Sequence, residues 1–221
     1  MQDLWARVDR YFDDLLAPAD AALQHALEAN HAAGLPGIDV PASLGKFLAL
    51  LVQMSGAKRV LEIGTLGGYS TIWLARAVPE GGRVVTLELE QRHAEIALSN
   101  LEFAGAMDRV EIRVGPALET LRAMTESGEE PFGLIFIDAD KKSMPEYVEY
   151  SLRLSRPGTV LVLDNVVRDG QVLDANTDDE NVQGVQRCME MLAREPRLSA
   201  TAIPTVGARG YDGFAVAVVQ K

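Results

Sequence analysis

Phe132-Gly133-Leu134-Ile135-Phe136-Ile137-Asp138-Ala139-Asp140-Lys141-Lys142 decides how this chain is read. The run Leu134 to Ile137 is wholly apolar and built of β-formers, which predicts a short strand buried on both faces. It breaks off into Asp138, Asp140 and Lys141. In an open parallel sheet, ligands gather outside the carboxyl ends of the strands. Charged groups placed there face a crevice and not the core. One such strand end is equally consistent with a solvated turn, so recurrence of the pattern has to decide.

The pattern does recur. From Arg59 onward, strand-like and helix-like segments alternate. Val60 to Ile63 is strand-like, and a Gly-rich turn leads into a helix from Ser70 to about Ala77. Arg83 to Leu87 forms a second strand closing in Glu88, followed by a helix with Ala94, Ala97, Leu98 and Leu101 on one face. Val110 to Val114 predicts a third strand, with a helix over 117–125. After the fourth strand, quoted above, come a helix over 147–154, a fifth strand from Thr159 to Leu163 closing in Asp164-Asn165, and a helix marked by Val182, Val185, Met189 and Leu192. Strands near 198–203 and 213–219 finish the chain. This alternation predicts a doubly wound α/β fold with a mostly parallel seven-stranded sheet. Four acids, Glu62, Glu88, Asp138 and Asp164, then fall along one sheet edge, which a polar ligand site explains better than four unrelated helix caps.

Ahead of the first strand, Leu4, Val8, Phe12, Leu15 and Leu16 recur at helical spacing. A second helical segment runs from Pro18 to Ala33, and a third follows Pro41 with Leu44, Phe47, Leu48 and Leu51 on one face. Residues 1–56 thus read as a helical addition to a core over 57–221, the whole forming a single domain. A lid, an oligomer contact or plain packing would each suit these helices, with packing the default.

The loop Glu62-Ile63-Gly64-Thr65-Leu66-Gly67-Gly68-Tyr69-Ser70 admits close approach of a ligand to the backbone. Its glycines do not form GxGxxG, and it lacks the arrangement of a phosphate cradle. A helix starting at Ser70 can hold a small carboxylate with its N–H groups and the serine hydroxyl. Glu88 is placed to accept from ribose hydroxyls. A nucleoside with an amino-acid tail satisfies both ends, which favours S-adenosylmethionine over NAD. Asp138, Asp164 and Asn165 supply three hard oxygen donors from two strand ends. With no suitably spaced histidine or cysteine, they suit Mg²⁺ or Ca²⁺, although Asp164-Asn165 is also an ordinary turn sequence. His25, His31 and His93 fall in predicted helices and read as solvated surface residues.

Composition narrows the partners. A formal charge of −11, from 32 acidic against 21 basic residues, argues against nucleic acid and anionic membranes. The single cysteine, Cys188, permits no internal disulfide and suits a reducing cytoplasm. No leader-like or membrane-spanning run is expected.

Three motifs in order, Val60 through Ser70, Phe136-Ile137-Asp138-Ala139-Asp140-Lys141 and Asp164-Asn165-Val166-Val167, closely resemble the cation-dependent O-methyltransferases, which include the catechol and caffeoyl-CoA enzymes. The resemblance runs from about Leu35 to the C-terminus. It implies a class I, Rossmann-like S-adenosylmethionine-dependent methyltransferase, a homodimer, acting on a small phenolic acceptor. It implies that Glu88 holds the ribose, Gly64, Thr65 and Ser70 the methionyl end with Glu62 close by, and the Ala117 backbone the adenine. Val40 matches a cofactor-touching position, and Asp140 lies near the cofactor. It further implies that Asp138, Asp164 and Asn165 hold the cation, Mg²⁺ first with Mn²⁺ or Ca²⁺ as alternatives, that Asp138 also serves the cofactor and substrate region, and that Lys141 takes the place of the catalytic base. The caffeoyl-CoA enzymes carry asparagine where Asp169 stands here, so acceptor contacts do not carry over at that position. The competing readings are an NAD-dependent oxidoreductase, disfavoured by the absent GxGxxG, and a non-catalytic cofactor-binding module, which would need neither metal ligands nor Lys141.

Overall fold

In the computed structural model, which describes residues 1–220, three helices precede the first strand: α1 (Gln2–Leu16), α2 (Ala21–Ala32) and α3 (Ala42–Ser55). Pro18 lies outside α2, which begins only after Asp20, whose side chain accepts from the Leu23 amide at 3.0 Å. This satisfies one of the donors every helix start leaves open. The alternating part then runs β1 (Arg59–Ile63), α4 (Tyr69–Ala77), β2 (Arg83–Glu88), α5 (Gln91–Phe103), β3 (Val110–Val114), α6 (Ala117–Glu126), β4 (Phe132–Ile137), α7 (Met144–Arg153), β5 (Ser155–Asp164), α8 (Glu180–Arg194), β6 (Leu198–Gly207) and β7 (Gly210–Val219).

The seven strands form one sheet in the order β3-β2-β1-β4-β5-β7-β6. The first five are parallel, and β7 runs antiparallel to both β5 and β6. The chain winds outward from β1 to β3 and then returns to place β4 against β1. That reversal opens a crevice between the carboxyl ends of β1 and β4.

Alternation along the strands divides the core in two. Val60, Leu134 and Phe136 face one side, with Leu48, Ile72 and Leu74 of the helices covering it. Leu61, Ile63, Ile135 and Ile137 face the other, against Met144, Val148, Val185 and Leu192. Each such side chain taken fully out of water contributes about 1.5–3 kcal/mol. Glu62 shares the face of Val60, so a carboxylate is carried into the apolar layer beneath α4. Helix α3 packs on α4, β4 and β5, and α2 on α4 and α5. Helix α1 buries no residue.

Four strands, β4 to β7, clearly outrun their sequence-based limits. β4 begins at Phe132 and β5 at Ser155, before Arg156-Pro157-Gly158, with a register irregularity in the pairing between Phe132 and Leu134. The last hairpin extends to Gly207 and restarts at Gly210, although Pro204 lies within it. Pro204 is tolerated because β6 is the edge strand, where one side of the backbone has no ladder to complete.

Candidate active site

A cavity of about 780 Å³ opens at the carboxyl ends of β1, β2, β4 and β5. Its wall is built from the loop after β1, the ends of β2 and β4, the start of α6 and the turn after β5. The segment Pro36 to Val40, between α2 and α3, closes it from the N-terminal side. Of the residues singled out from sequence, Val40, Gly64, Thr65, Ser70, Glu88, Ala117, Asp138, Asp140, Lys141 and Asn165 all line this one space.

The loop after β1 is held by the sheet on both sides. Gly64 N–H donates to Leu87 O at 3.0 Å, and Asp138 N–H donates to Ile63 O at 2.8 Å. A Cβ on Gly64 would stand 2.1 Å from Asp138 O, so only glycine lets the two strand ends meet. Beyond it, the Glu88 carboxylate gathers the backbone. One oxygen accepts from Thr65 N–H at 3.2 Å and Leu66 N–H at 2.7 Å, and the other from Glu90 N–H at 3.0 Å.

Two sequence readings need correction here. Glu62 does not line the cavity. It is fully buried one layer below, and its carboxylate accepts from the hydroxyls of Ser70 at 2.6 Å, Thr71 at 2.5 Å and Thr86 at 2.7 Å. Thr86 reaches it because Glu62 and Thr86 are register partners in the sheet. Burial raises the Glu62 carboxyl to about 7 against the pull of those three hydroxyls. His93 is not a solvated histidine: it sits on the first turn of α5, lines the cavity and places Nδ1 3.4 Å from Glu88 Oε1. His25 is half-buried and stacks on Phe103 at 4.0 Å, while His31 is exposed.

Sequence reading also missed a polar clamp on the loop. Asn100 of α5 donates from Nδ2 to Gly67 O at 2.8 Å and to Asn30 Oδ1 at 3.0 Å. Asn30 of α2 donates in turn to Asp39 Oδ1 at 2.7 Å. Both asparagines are buried. Asp39, which lines the cavity beside Val40, is raised by burial, with the Asn30 amide and the Arg209 charge opposing. The only signal in the sequence was an asparagine on the apolar face of each helix.

On the other side of the cavity, Lys141 Nζ pairs with Asp138 Oδ1 at 2.8 Å, and Lys141 is 6% exposed. Asp140 accepts from Tyr147 OH at 2.5 Å and from Ser143 N–H at 3.1 Å. Burial pushes the Asp140 carboxyl up, but these hydrogen bonds outweigh it and hold the group below its ordinary value. Tyr147 is pushed up by burial and by donating to that carboxylate. Asp164 ends β5 behind the cavity wall, where burial and then the Asp138 charge raise its carboxyl to about 7, with Lys141 opposing. Asn165 follows in a left-handed conformation, φ 57°, and lines the cavity directly. Among the described residues no group of three or more His, Cys, Asp and Glu side chains could hold a metal ion. A hard cation would therefore need the Asn165 amide oxygen as third protein ligand. The donor set fits one, because a divalent ion relieves the repulsion between Asp138 and Asp164.

A crevice at the sheet's switch point, with a carboxylate at the end of the second strand and hard oxygen donors at the fourth and fifth, is the ligand site of a Rossmann-like fold. Residues 17–215 match the O-methyltransferase family, and the chain belongs to it, as an S-adenosylmethionine-dependent O-methyltransferase. It is 48% identical over 217 residues to the catechol O-methyltransferase of Niastella koreensis, covering 98% of each chain. It is 52% identical over 213 residues to the catechol O-methyltransferase of Mycobacterium tuberculosis, covering 96% of this chain and 95% of that one. The crystal structure of an O-methyltransferase from Bacillus cereus in complex with SAH superposes with a TM-score of 0.98 at 56% identity, over 100% of both chains.

Proposed function

We propose that this enzyme transfers the methyl group of S-adenosylmethionine to a hydroxyl of a small catechol-like acceptor with the help of a divalent cation, Mg²⁺ before Mn²⁺ or Ca²⁺. The observation that carries the reading is the meeting of two unlike half-sites in one cavity: the glycine loop with Glu88, and Asp138, Lys141 and Asn165. Relatives named catechol O-methyltransferase support the acceptor class, and the SAH bound to the Bacillus cereus protein supports the cofactor.

The chain's own residues then divide the work. Glu88 accepts the ribose hydroxyls while bracing the loop that Gly64 and Thr65 begin. Ser70, aimed by Glu62, meets the methionyl end. The backbone at Ala117 meets the adenine, with Val40 and Asp140 flanking the cofactor. Asp138, Asp164 and Asn165 hold the cation, which when bound lowers the pKa of a chelated phenol. Lys141, packed out of water, would act as its neutral amine, a form that a cation held at Asp138 in place of the ion pair would favour, and so take the proton from the attacking hydroxyl. The sulfonium methyl is already activated, so alignment of that oxygen is the remaining demand on the protein.

The reading extends to a homodimer working as a single-domain protomer in a reducing cytoplasm. Exposed Leu4, Tyr11, Phe12 and Leu15 on α1 support the former, and buried Cys188, its thiol pushed by burial up to about 12, is inert in the latter. The decisive experiment supplies labelled S-adenosylmethionine, Mg²⁺ and catechol. Methylation should appear, vanish in excess chelator and return with Mg²⁺ or Mn²⁺. Undiminished turnover in chelator removes the cation from the reading.

A further inference from the structure

One arginine in the cavity has no partner. Arg168 lies three residues beyond Asn165 and lines the same space. Its backbone is held at φ 56°, a region that side-chain-bearing residues seldom occupy without a reason in the surroundings. Its Nε is buried and forms no hydrogen bond. Among the described residues its guanidinium enters no ion pair.

In this protein that is an anomaly. Acids outnumber bases by 32 to 21, and Arg59 and Arg113, comparably sheltered, both find Glu129; Arg59 too leaves a buried Nε unmet, so it is the missing ion pair that sets Arg168 apart. The acids nearest Arg168 in the chain and fold are already committed to the backbone. Asp212 Oδ1 accepts from Val167 N–H and Arg168 N–H, each at 3.1 Å, and Asp169 Oδ1 accepts from Tyr211 N–H at 3.2 Å. The fold thus carries an unmet buried donor on a left-handed turn, and that side chain forms no internal hydrogen bond or ion pair in return. A ligand group would complete the arrangement.

The chemistry of that group follows from what lines the rest of the cavity. Five acids, Asp39, Glu88, Glu90, Asp138 and Asp140, line the cavity against three cations, Lys141, Lys142 and Arg168, and Lys141 is already paired with Asp138, so a phosphate dianion would meet net repulsion. A planar carboxylate matches the guanidinium fork with two parallel hydrogen bonds and a single charge. Arg168 follows Asn165 on the turn that ends in the acceptor half of the cavity, away from Glu88.

We propose that Arg168 binds the carboxylate of the methyl acceptor, so that the enzyme prefers acids of the dihydroxybenzoate or dihydroxycinnamate type over neutral catechols. This rests on the catechol reading above. The test compares 3,4-dihydroxybenzoate with its neutral isostere, 3,4-dihydroxybenzamide, at saturating S-adenosylmethionine and Mg²⁺. The wild type should favour the acid in kcat/KM by about tenfold or more, the value of a charge-assisted hydrogen-bond pair. Arg168→Gln should erase that preference through a loss on the acid, with threefold change or less on the amide. Arg168→Lys, which keeps the charge but not the fork, should fall between. Wild-type enzyme that uses acid and amide equally overturns the inference and leaves the catechol reading standing. So does an equal loss on both substrates in Arg168→Gln, or a shift in its sedimentation, either of which makes Arg168 a brace for the turn or a contact to a second copy. If the wild type methylates neither compound, the catechol reading itself falls and takes the inference with it. Should Arg168→Gln not fold, the wild-type and Arg168→Lys acid-to-amide ratios decide alone.

Discussion

Replacing Glu88 with alanine separates the two duties its carboxylate carries. Three backbone N–H groups point at it, at 3.2, 2.7 and 3.0 Å. Thr65 is 2% exposed, so its N–H has no water to turn to. An orphaned buried donor costs about 1–3 kcal/mol. Counting Thr65 in full, and Leu66 and Glu90 in part because solvent reaches them, gives a destabilisation of about 2–4 kcal/mol. For a chain of this length each kcal/mol lowers Tm by about 2–4 °C, so the melt should move down by about 5–15 °C. Loss of the acceptor for the ribose hydroxyls should weaken S-adenosylmethionine binding, measured by calorimetry without metal or acceptor, at least about tenfold, which is 1.4 kcal/mol. Glu88→Gln separates the effects. Its amide oxygen still serves the Thr65 and Leu66 N–H groups, so Tm should stay within a few degrees, while loss of the charge still weakens the cofactor about tenfold. If Glu88→Gln binds S-adenosylmethionine like the wild type, Glu88 braces the loop and the ribose sits elsewhere.

Lys141→Ala should lower kcat by about 10²–10⁴-fold on a catechol with little effect on cofactor affinity, and Lys141→Arg should restore little because a guanidinium keeps its proton. The Lys141→Ala defect should shrink as pH rises, and near-wild-type turnover by Lys141→Arg would show that position 141 supplies charge and not a base. Glu62 rises from 4.5 in the unfolded chain to about 7 in the fold, so its protonated form is favoured by folding and that stability drains away as pH climbs through this window. Glu62→Gln should therefore gain stability relative to wild type between pH 5 and pH 8, by at most about 3 kcal/mol, and urea melts giving a pH-independent difference would contradict the burial argument. Gly64→Ala drives a methyl to within 2.1 Å of Asp138 O, and should destabilise by several kcal/mol and abolish cofactor binding; a melt at the wild-type temperature would refute the close approach.

Leu134 to Ile137 showed in sequence that a strand was buried on both faces, and one such strand requires helices on either side of a parallel sheet. The hairpin of β6 and β7 runs past the expected 198–203 and 213–219, through Pro204 and the glycines near the turn, residues that normally punctuate strands. An edge strand needs only half its backbone donors, which local sequence does not reveal. Within the site, Glu88, Asp138, Lys141 and Asn165 were legible because each ends or follows a strand, and topology sends all strand ends to one place. Asp39, Tyr147, His93, Asn30 and Asn100 were not. They belong to helices and a connecting segment, and their approach to the cavity depends on how helices dock. Glu62 falls near the same strand edge as the other acids, but the alternation of faces turns its side chain under α4 toward Ser70 and Thr71 and away from the cavity.

The clamp on the glycine loop limits how this sequence can drift. A Cβ at position 67 would fall 1.8 Å from Asn30 Oδ1, so the two positions cannot vary independently. Enlarging residue 67 requires a shorter residue 30 first. That change withdraws the acceptor used by Asn100 and the donor used by Asp39. Positions 30, 39, 67 and 100, scattered over a helix, a connecting segment, a loop and another helix, are therefore bound to change as a set. An alignment of relatives should show them co-varying as one block, with glycine at 67 wherever asparagine stands at 30.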